Sequence, residues 1–267
     1  MTFVALPAPY DFELSTERFR VFGPDLAVLW HDEALYRAIN GREVRLTPAT
    51  GGVDVDPYDE SIHRTVEQLL GIEHDLDGFY AWAQSDPVMD AIVARLPGFR
   101  PPIIPDPWEQ LVGVITAQQV SLLAAGAIRN RFIERFGVTV GRVSAFPTRA
   151  RVASAEPDEL VAVGFSRAKA AATVALAQSE LDLDALRLLP DDEVRAAITA
   201  QKGLGAWSAE WFLARHLARP TAWPIGDLVL AKAAETFYGS TVEDLGPKLA
   251  PFQNLSAHYL LAALRKP

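Results

Sequence analysis

The sequence predicts an α+β fold, mainly helical, in which a small antiparallel sheet precedes a long helical remainder; three observations predict it. Ala27-Val28-Leu29-Trp30, Leu35-Tyr36-Arg37-Ala38-Ile39, Glu43-Val44-Arg45-Leu46 and Val53-Asp54-Val55 are short runs of strand character. They are punctuated by Asn40-Gly41 and Gly51-Gly52, pairs that tolerate the positive φ of tight hairpin turns. From Glu60 the period changes, with Ile62, Val66, Leu69 and Leu70 at helical spacing and two further helices expected after them. The proline-rich stretch Pro97 to Pro107 then reads as a linker, which divides the chain into an N-terminal α/β domain, 1–100, and a helical domain, 101–267.

Each later element follows from its own signals. Trp108 to Gln118 and Ser121 to Phe136 read as one long helical stretch or a bent pair, ending at Gly137. Short helices are expected at Arg149 to Ala153 and Pro157 to Ala162. Longer ones follow from Ser166 to Gln178, Asp191 to Gln201, Trp207 to Leu217, Leu228 to Tyr238, Val242 to Ala250 and Asn254 to Leu264. Irregular lengths and spacings argue against a solenoid.

Composition closes several routes. Without cysteine there is no disulfide, thiolate-bound metal or thiol nucleophile, and His31, His63, His74, His216 and His258 lack metal-ligand spacing, so no metal site is expected. Met1 to Pro9 lacks a signal-peptide pattern, and no apolar run reaches about 18 residues, so no membrane association is expected and the reading is a soluble, cytoplasmic protein.

The most informative segment is Gln201-Lys202-Gly203-Leu204-Gly205-Ala206-Trp207-Ser208-Ala209-Glu210-Trp211, between two amphipathic helical runs. Glycines at 203 and 205 permit a tight reversal that exposes backbone N–H groups at the next helix start, a site suited to phosphate. Leu204 would pin the helices together, and Ser208 would support the N–H cluster around Ala206. A glycine C-cap in an ordinary connector would read the same way. Downstream, Pro224-Ile225-Gly226-Asp227 places a carboxylate at the head of an apolar helix, where an N-cap is the plain reading.

Taken together, the glycine hairpin, Pro224-Ile225-Gly226-Asp227 and Trp108-Glu109-Gln110-Leu111-Val112 leading into Ala117-Gln118-Gln119-Val120-Ser121 resemble the helix–hairpin–helix DNA glycosylases, in particular the 3-methyladenine DNA glycosylase II branch. The resemblance runs from about Asp106 onward and extends to Pro9-Tyr10-Asp11-Phe12, which is similar to the start of that branch's N-terminal domain. It implies a helical glycosylase core of two lobes with the active-site cleft between them. Asp227 would be the catalytic carboxylate, stabilising the cationic sugar that forms as the N-glycosidic bond breaks. It implies excision of alkylated purines, 3-methyladenine and 7-methylguanine, from damaged double-stranded DNA by a monomer. Trp207 stands where relatives that also cut the backbone carry lysine, so no Schiff-base step is expected.

The damaged base would be received by Trp207 and Trp211, with Trp223, Phe12 and Phe19 as further pocket aromatics, through stacking and cation–π attraction. Ordinary core packing is the alternative for each. Glu210 and Glu235 read as solvated helix residues. Gln118 and Gln119 occupy the place of the branch's DNA-gap wedge, which is apolar there, although Gln118 also fits a buried helix-end amide. Arg167 and Lys169 read as phosphate contacts or a solvated face. Pro251-Phe252-Gln253-Asn254 lacks the arginine usual in that segment. Similar proteins bind a monovalent cation at hairpin carbonyls; otherwise no cofactor is implied.

The net charge of −9 sits awkwardly with a polyanionic partner, but residues 1–100 carry 8 Lys/Arg against 17 Asp/Glu while residues 101–267 carry 17 against 17. A nucleic-acid face therefore belongs to the second part. Two alternatives remain: a glycosylase for oxidised purines, and a DNA-binding module that uses the hairpin as a phosphate clamp without catalysis.

Overall fold

The computed structural model describes residues 1–265. Residues 2–56 contribute the strands β1 (Thr2–Ala5), β2 (Val28–His31), β3 (Ala34–Ile39), β4 (Arg42–Ala49) and β5 (Gly52–Asp56). All neighbours pair antiparallel in the order β1-β5-β4-β3-β2. The β3–β4 turn uses Asn40 and Gly41 at φ 50° and 73°, as its dipeptide predicts. The β2–β3 turn instead uses Asp32 and Glu33, also at positive φ. Two features depart from expectation: β1 adds an edge strand beside β5, and Phe12–Thr16 forms a short helix, α1, capped by Asp11.

One sheet face carries Leu35, Val44, Leu46, Val53 and Val55, all fully buried against Ile62, Val66, Leu69 and Leu70 from the region of α2 (His63–Leu69). Burial of each such side chain contributes on the order of 1.5–3 kcal/mol. On the other face, Ala34 and Tyr36 pack with Val143 from a hairpin formed by β6 (Val138–Val140) and β7 (Val143–Ala145).

The remaining helices form two cores. The first collects α5 (Pro107–Ala117), α6 (Leu122–Phe136), α7 (Arg149–Ala153), α8 (Pro157–Ala162), α9 (Arg167–Gln178), α10 (Asp191–Thr199) and α11 (Ala206–Arg215). The second joins α3 (Leu76–Ala83) and α4 (Pro87–Arg95) to α12 (Leu228–Tyr238), α13 (Val242–Leu245) and α14 (Gln253–Arg265), around Phe79, Met89, Leu230 and Tyr259. Residues 76–99, read from the sequence as part of the N-terminal domain, thus pack with the C-terminal helices. Their apolar faces match partners more than 120 positions away, a relation that local periodicity does not encode.

A buried ionic cluster ties the sheet to the first helical core. Glu109 on α5 accepts from Arg37 on β3 at 3.1 and 2.5 Å and from Arg129 on α6 at 2.5 Å, while Arg129 also donates to Asp25 at 2.9 Å. Burial alone raises the Glu109 pKa, but the two guanidiniums outweigh it and bring it down to about 2.

Candidate active site

The hairpin between α10 and α11 takes the tight form its glycines allow. Gly203 adopts φ 78°, and a side chain there would lie 2.7 Å from the Ala172 methyl of α9. Gly205 has an extended conformation and faces open space, so its requirement is not conformational. Leu204 is buried in the first core among residues of α10 and α11, as expected. Gly205 caps α11 without a side-chain hydrogen bond, which leaves the first-turn N–H groups of Ala206 and Trp207 available to an anion. Gln118 holds this turn in place, its amide donating to the Gly203 carbonyl at 2.9 Å and to buried Ser208 at 3.4 Å. The carbonyls of Gln201, Gly203 and Gly205 already accept hydrogen bonds, so a cation bound there would share them.

Asp227 stands at the junction of the two helical cores. Pro224 to Asp227 form a turn closed by Asp227 N–H to the Pro224 carbonyl at 3.1 Å, with Gly226 at φ 87°, the conformation that a type II turn demands at its third residue. The carboxylate caps α12 through Oδ1, which accepts from Val229 and Leu230 N–H at 3.0 Å each. Its other oxygen accepts from the indoles of Trp207 at 3.1 Å and Trp211 at 3.0 Å. Four donors therefore fix one half-buried acid, and the N-cap reading is what the structure displays, with the second oxygen held by the two indoles.

The other expected site residues fall in several places. Trp207 is half-buried and Trp211 buried, both against Asp227. Trp223 belongs to the second core, where its indole donates to the Val242 carbonyl at 2.9 Å and its ring fills the space beside Gly246. Phe12, packed on Trp30, and Phe19 lie buried in the sheet core. For these three, core packing is what the structure displays, because aromatic identity does not reveal which face a residue turns inward. Gln119 is exposed at φ 53°, in the break between α5 and α6, and beside it Val120, Leu122 and Leu123 are exposed apolar residues. Arg167 is exposed at the start of α9. Lys169 is engaged: its ammonium donates to the Thr116 and Gln118 carbonyls at 3.0 and 2.6 Å, closing the end of α5.

Three residues of the site were missed. Glu210 is not solvated; it accepts from Arg195 at 2.6 Å and from the Trp223 N–H at 2.9 Å, fastening α11 to the segment that leads into Asp227. Glu235, by contrast, is exposed as expected. Arg215 places its guanidinium 3.8 Å from the Trp211 ring centroid, and His258 meets the same ring edge-on at 5.8 Å. Positions 207, 211 and 215 share one helical face, a spacing that could have drawn attention to Arg215. Asn254, the last residue of the segment 251–254, donates to the Ala214 carbonyl at 3.1 Å.

With an anion-ready hairpin, an indole-bound carboxylate and this helical framework in one place, the chain belongs to the HhH-GPD superfamily of base excision DNA repair proteins, whose family model matches residues 112–248. It is 27% identical over 179 residues to the DNA-3-methyladenine glycosylase of Bacillus subtilis (strain 168), a match covering 64% of this chain and 59% of that protein. To DNA-3-methyladenine glycosylase 2 of Escherichia coli (strain K12) it is 33% identical over 127 residues, covering 46% and 45%. These matches therefore span less than two thirds of either relative's length. In fold it is similar to the solved 3-methyladenine DNA-glycosylase from Archaeoglobus fulgidus, with a TM-score of 0.89 at 23% identity over 99% of this chain and 98% of that one. Among the described residues no helix is long and apolar enough to cross a membrane, and no group of acidic and histidine side chains is placed to hold a metal ion.

Proposed function

We propose that this chain is a monofunctional DNA glycosylase that hydrolyses the N-glycosidic bond of alkylated purines in duplex DNA, 3-methyladenine and 7-methylguanine being the lesions that methylated DNA supplies. The observation that carries the reading is Asp227 clamped between the α12 N-terminus and the two indoles of the hairpin helix. A phosphate at the Ala206 and Trp207 N–H groups would anchor the strand beside this acid, and a nucleotide turned out of the stack would bring its anomeric carbon toward it.

As the base departs, positive charge grows on the sugar, and a fixed carboxylate stabilises that charge without a covalent bond. Asp227 would also orient the water that captures the sugar cation, the water's proton passing to solvent or to the departing base. Trp207 supplies no amine: its nitrogen is an indole N–H already donated to Asp227, so no Schiff base forms and the backbone stays whole. A single polypeptide in the cytoplasm suffices for this chemistry. Incubation with methylated duplex DNA should release free methylpurines, seen by chromatography, and leave strands that break only on added alkali. Strand cleavage without alkali, or no released base, would defeat the proposal.

The two hairpin glycines separate folding from binding. Gly203→Ala should lower stability by about 1–3 kcal/mol, because the residue needs positive φ and the Ala172 side must yield. Gly205→Ala should change stability by no more than about 0.5 kcal/mol, yet weaken duplex binding roughly tenfold as its methyl enters the space before the N–H groups. Thermal melting and fluorescence anisotropy distinguish the two effects; equal behaviour of both variants in both assays would refute the phosphate role.

A further inference from the structure

The face of Trp211 is not free. Arg215 covers it at 3.8 Å, in the cation–π position that a positively charged base would otherwise take. Since the Trp211 indole donates to Asp227, this guanidinium lies one indole away from the carboxylate. On the glycosylase reading, a base joined to a sugar held at Asp227 would stand near the same indole. Arg215 has no side-chain hydrogen bond or ion pair among the described residues, and its Nε is buried without a partner. A desolvated, unanswered guanidinium is costly to maintain in a folded chain and ordinarily finds an acceptor.

It is not alone. Arg18 rests over the Phe19 ring at 5.8 Å and makes no ion pair among the described residues, Asp25 and Glu109 acting on it only through their fields. Arg265 pairs with Glu17 at 3.4 Å and lies over Phe22 at 5.9 Å. Burial, first, and then the positive fields of Arg18 and Arg265 hold the Arg215 pKa well below its ordinary value, with Asp227 opposing. His258, against the same indole, is likewise driven well down, by burial and then by Arg215, and so stands neutral at neutral pH. The end of the site beyond Trp211 therefore offers N–H donors and positive potential.

We propose that Arg215, backed by Arg18 and Arg265, reads the damaged base and favours neutral lesions that present carbonyl or ring-nitrogen acceptors, such as hypoxanthine or an etheno adduct of adenine, over lesions with fixed positive charge, such as 7-methylguanine. The inference rests on the glycosylase reading and widens its substrates to neutral bases, hypoxanthine among them, that are not alkylated purines. An acceptor on the base answers the unpaired guanidinium and spreads its charge, whereas a cationic base adds like charge beside it. The phosphate of the same nucleotide is the competing occupant, and it would make Arg215 indifferent to the base.

Single-turnover release should be compared on duplexes carrying hypoxanthine, etheno-adenine or 7-methylguanine, using the full chain and its Arg215→Met and Arg18→Gln variants. Methionine keeps apolar cover on Trp211 while removing charge and donors. Arg215→Met should slow release of the neutral bases tenfold or more while 7-methylguanine release stays within threefold or rises. Arg18→Gln, on a different core, should shift the ratio the same way by a smaller factor, and it decides the matter if Arg215→Met does not fold. Equal slowing on all three duplexes would assign Arg215 to phosphate or to structure and overturn the inference, as would an unchanged ratio. If the unaltered chain releases no base from any duplex, the glycosylase reading itself fails instead.

Discussion

Base release should fall by about 10²–10³-fold when Asp227 becomes asparagine, the scale on which removing one preorganised electrostatic group slows a charged transition state. DNA affinity should stay within a few-fold, because the hairpin that would hold phosphate is untouched. Asparagine remains a good N-cap and its oxygen can serve Val229 and Leu230, but its amide nitrogen then faces two indole N–H groups, donor against donor. A stability loss of about 1 kcal/mol is the corollary. Release kinetics, anisotropy and melting measured together check this; activity within tenfold of the unaltered chain would remove Asp227 from the chemistry.

The largest stability effect is expected at Glu109. Replacing it by alanine leaves Arg37 and Arg129 buried with Asp25 as their remaining acid, and breaking such a pair costs about 3–5 kcal/mol. For a chain of this size that is on the order of 10 °C in melting temperature. The pH dependence follows in sign. The native pKa of Glu109 is depressed from 4.5 to about 2, so its contribution is complete above pH 4.5 and is lost as pH falls from there through 2. The difference in melting temperature between Glu109→Ala and the unaltered chain should accordingly shrink on acidification across that window. A variant that melts within 2–3 °C at pH 7, roughly 1 kcal/mol, would show that the cluster does not hold the sheet to the helices.

What the sequence disclosed was what neighbouring residues decide among themselves. Asn40-Gly41 sets a hairpin turn, Pro157 and Asp191 begin helices, and Gly203 turns the chain between α10 and α11. The edge strand β1 escaped because four residues become a strand only when β5, some fifty positions on, offers a free edge. Glu210 escaped for a related reason: a carboxylate on a helix looks solvated until the Trp223 N–H and Arg195 arrive from other elements. Trp223, Phe12 and Phe19 show the converse, since a large ring suits a pocket and a core equally well. Arg215 was concealed by its charge, which suggests solvent rather than an indole face. The exposed apolar fringe near the acid, with Leu228 at 85% accessible, is equally invisible to periodicity because it breaks the pattern of a packed helix.

Asp227 is rooted in one helical core and the two indoles that aim it in the other. The acid's alignment is therefore a property of the seam, and a slight parting there would misdirect it while each half stayed folded. Warming should silence turnover some degrees before the cooperative calorimetric transition, and a covalent bridge thrown across the seam would narrow that gap.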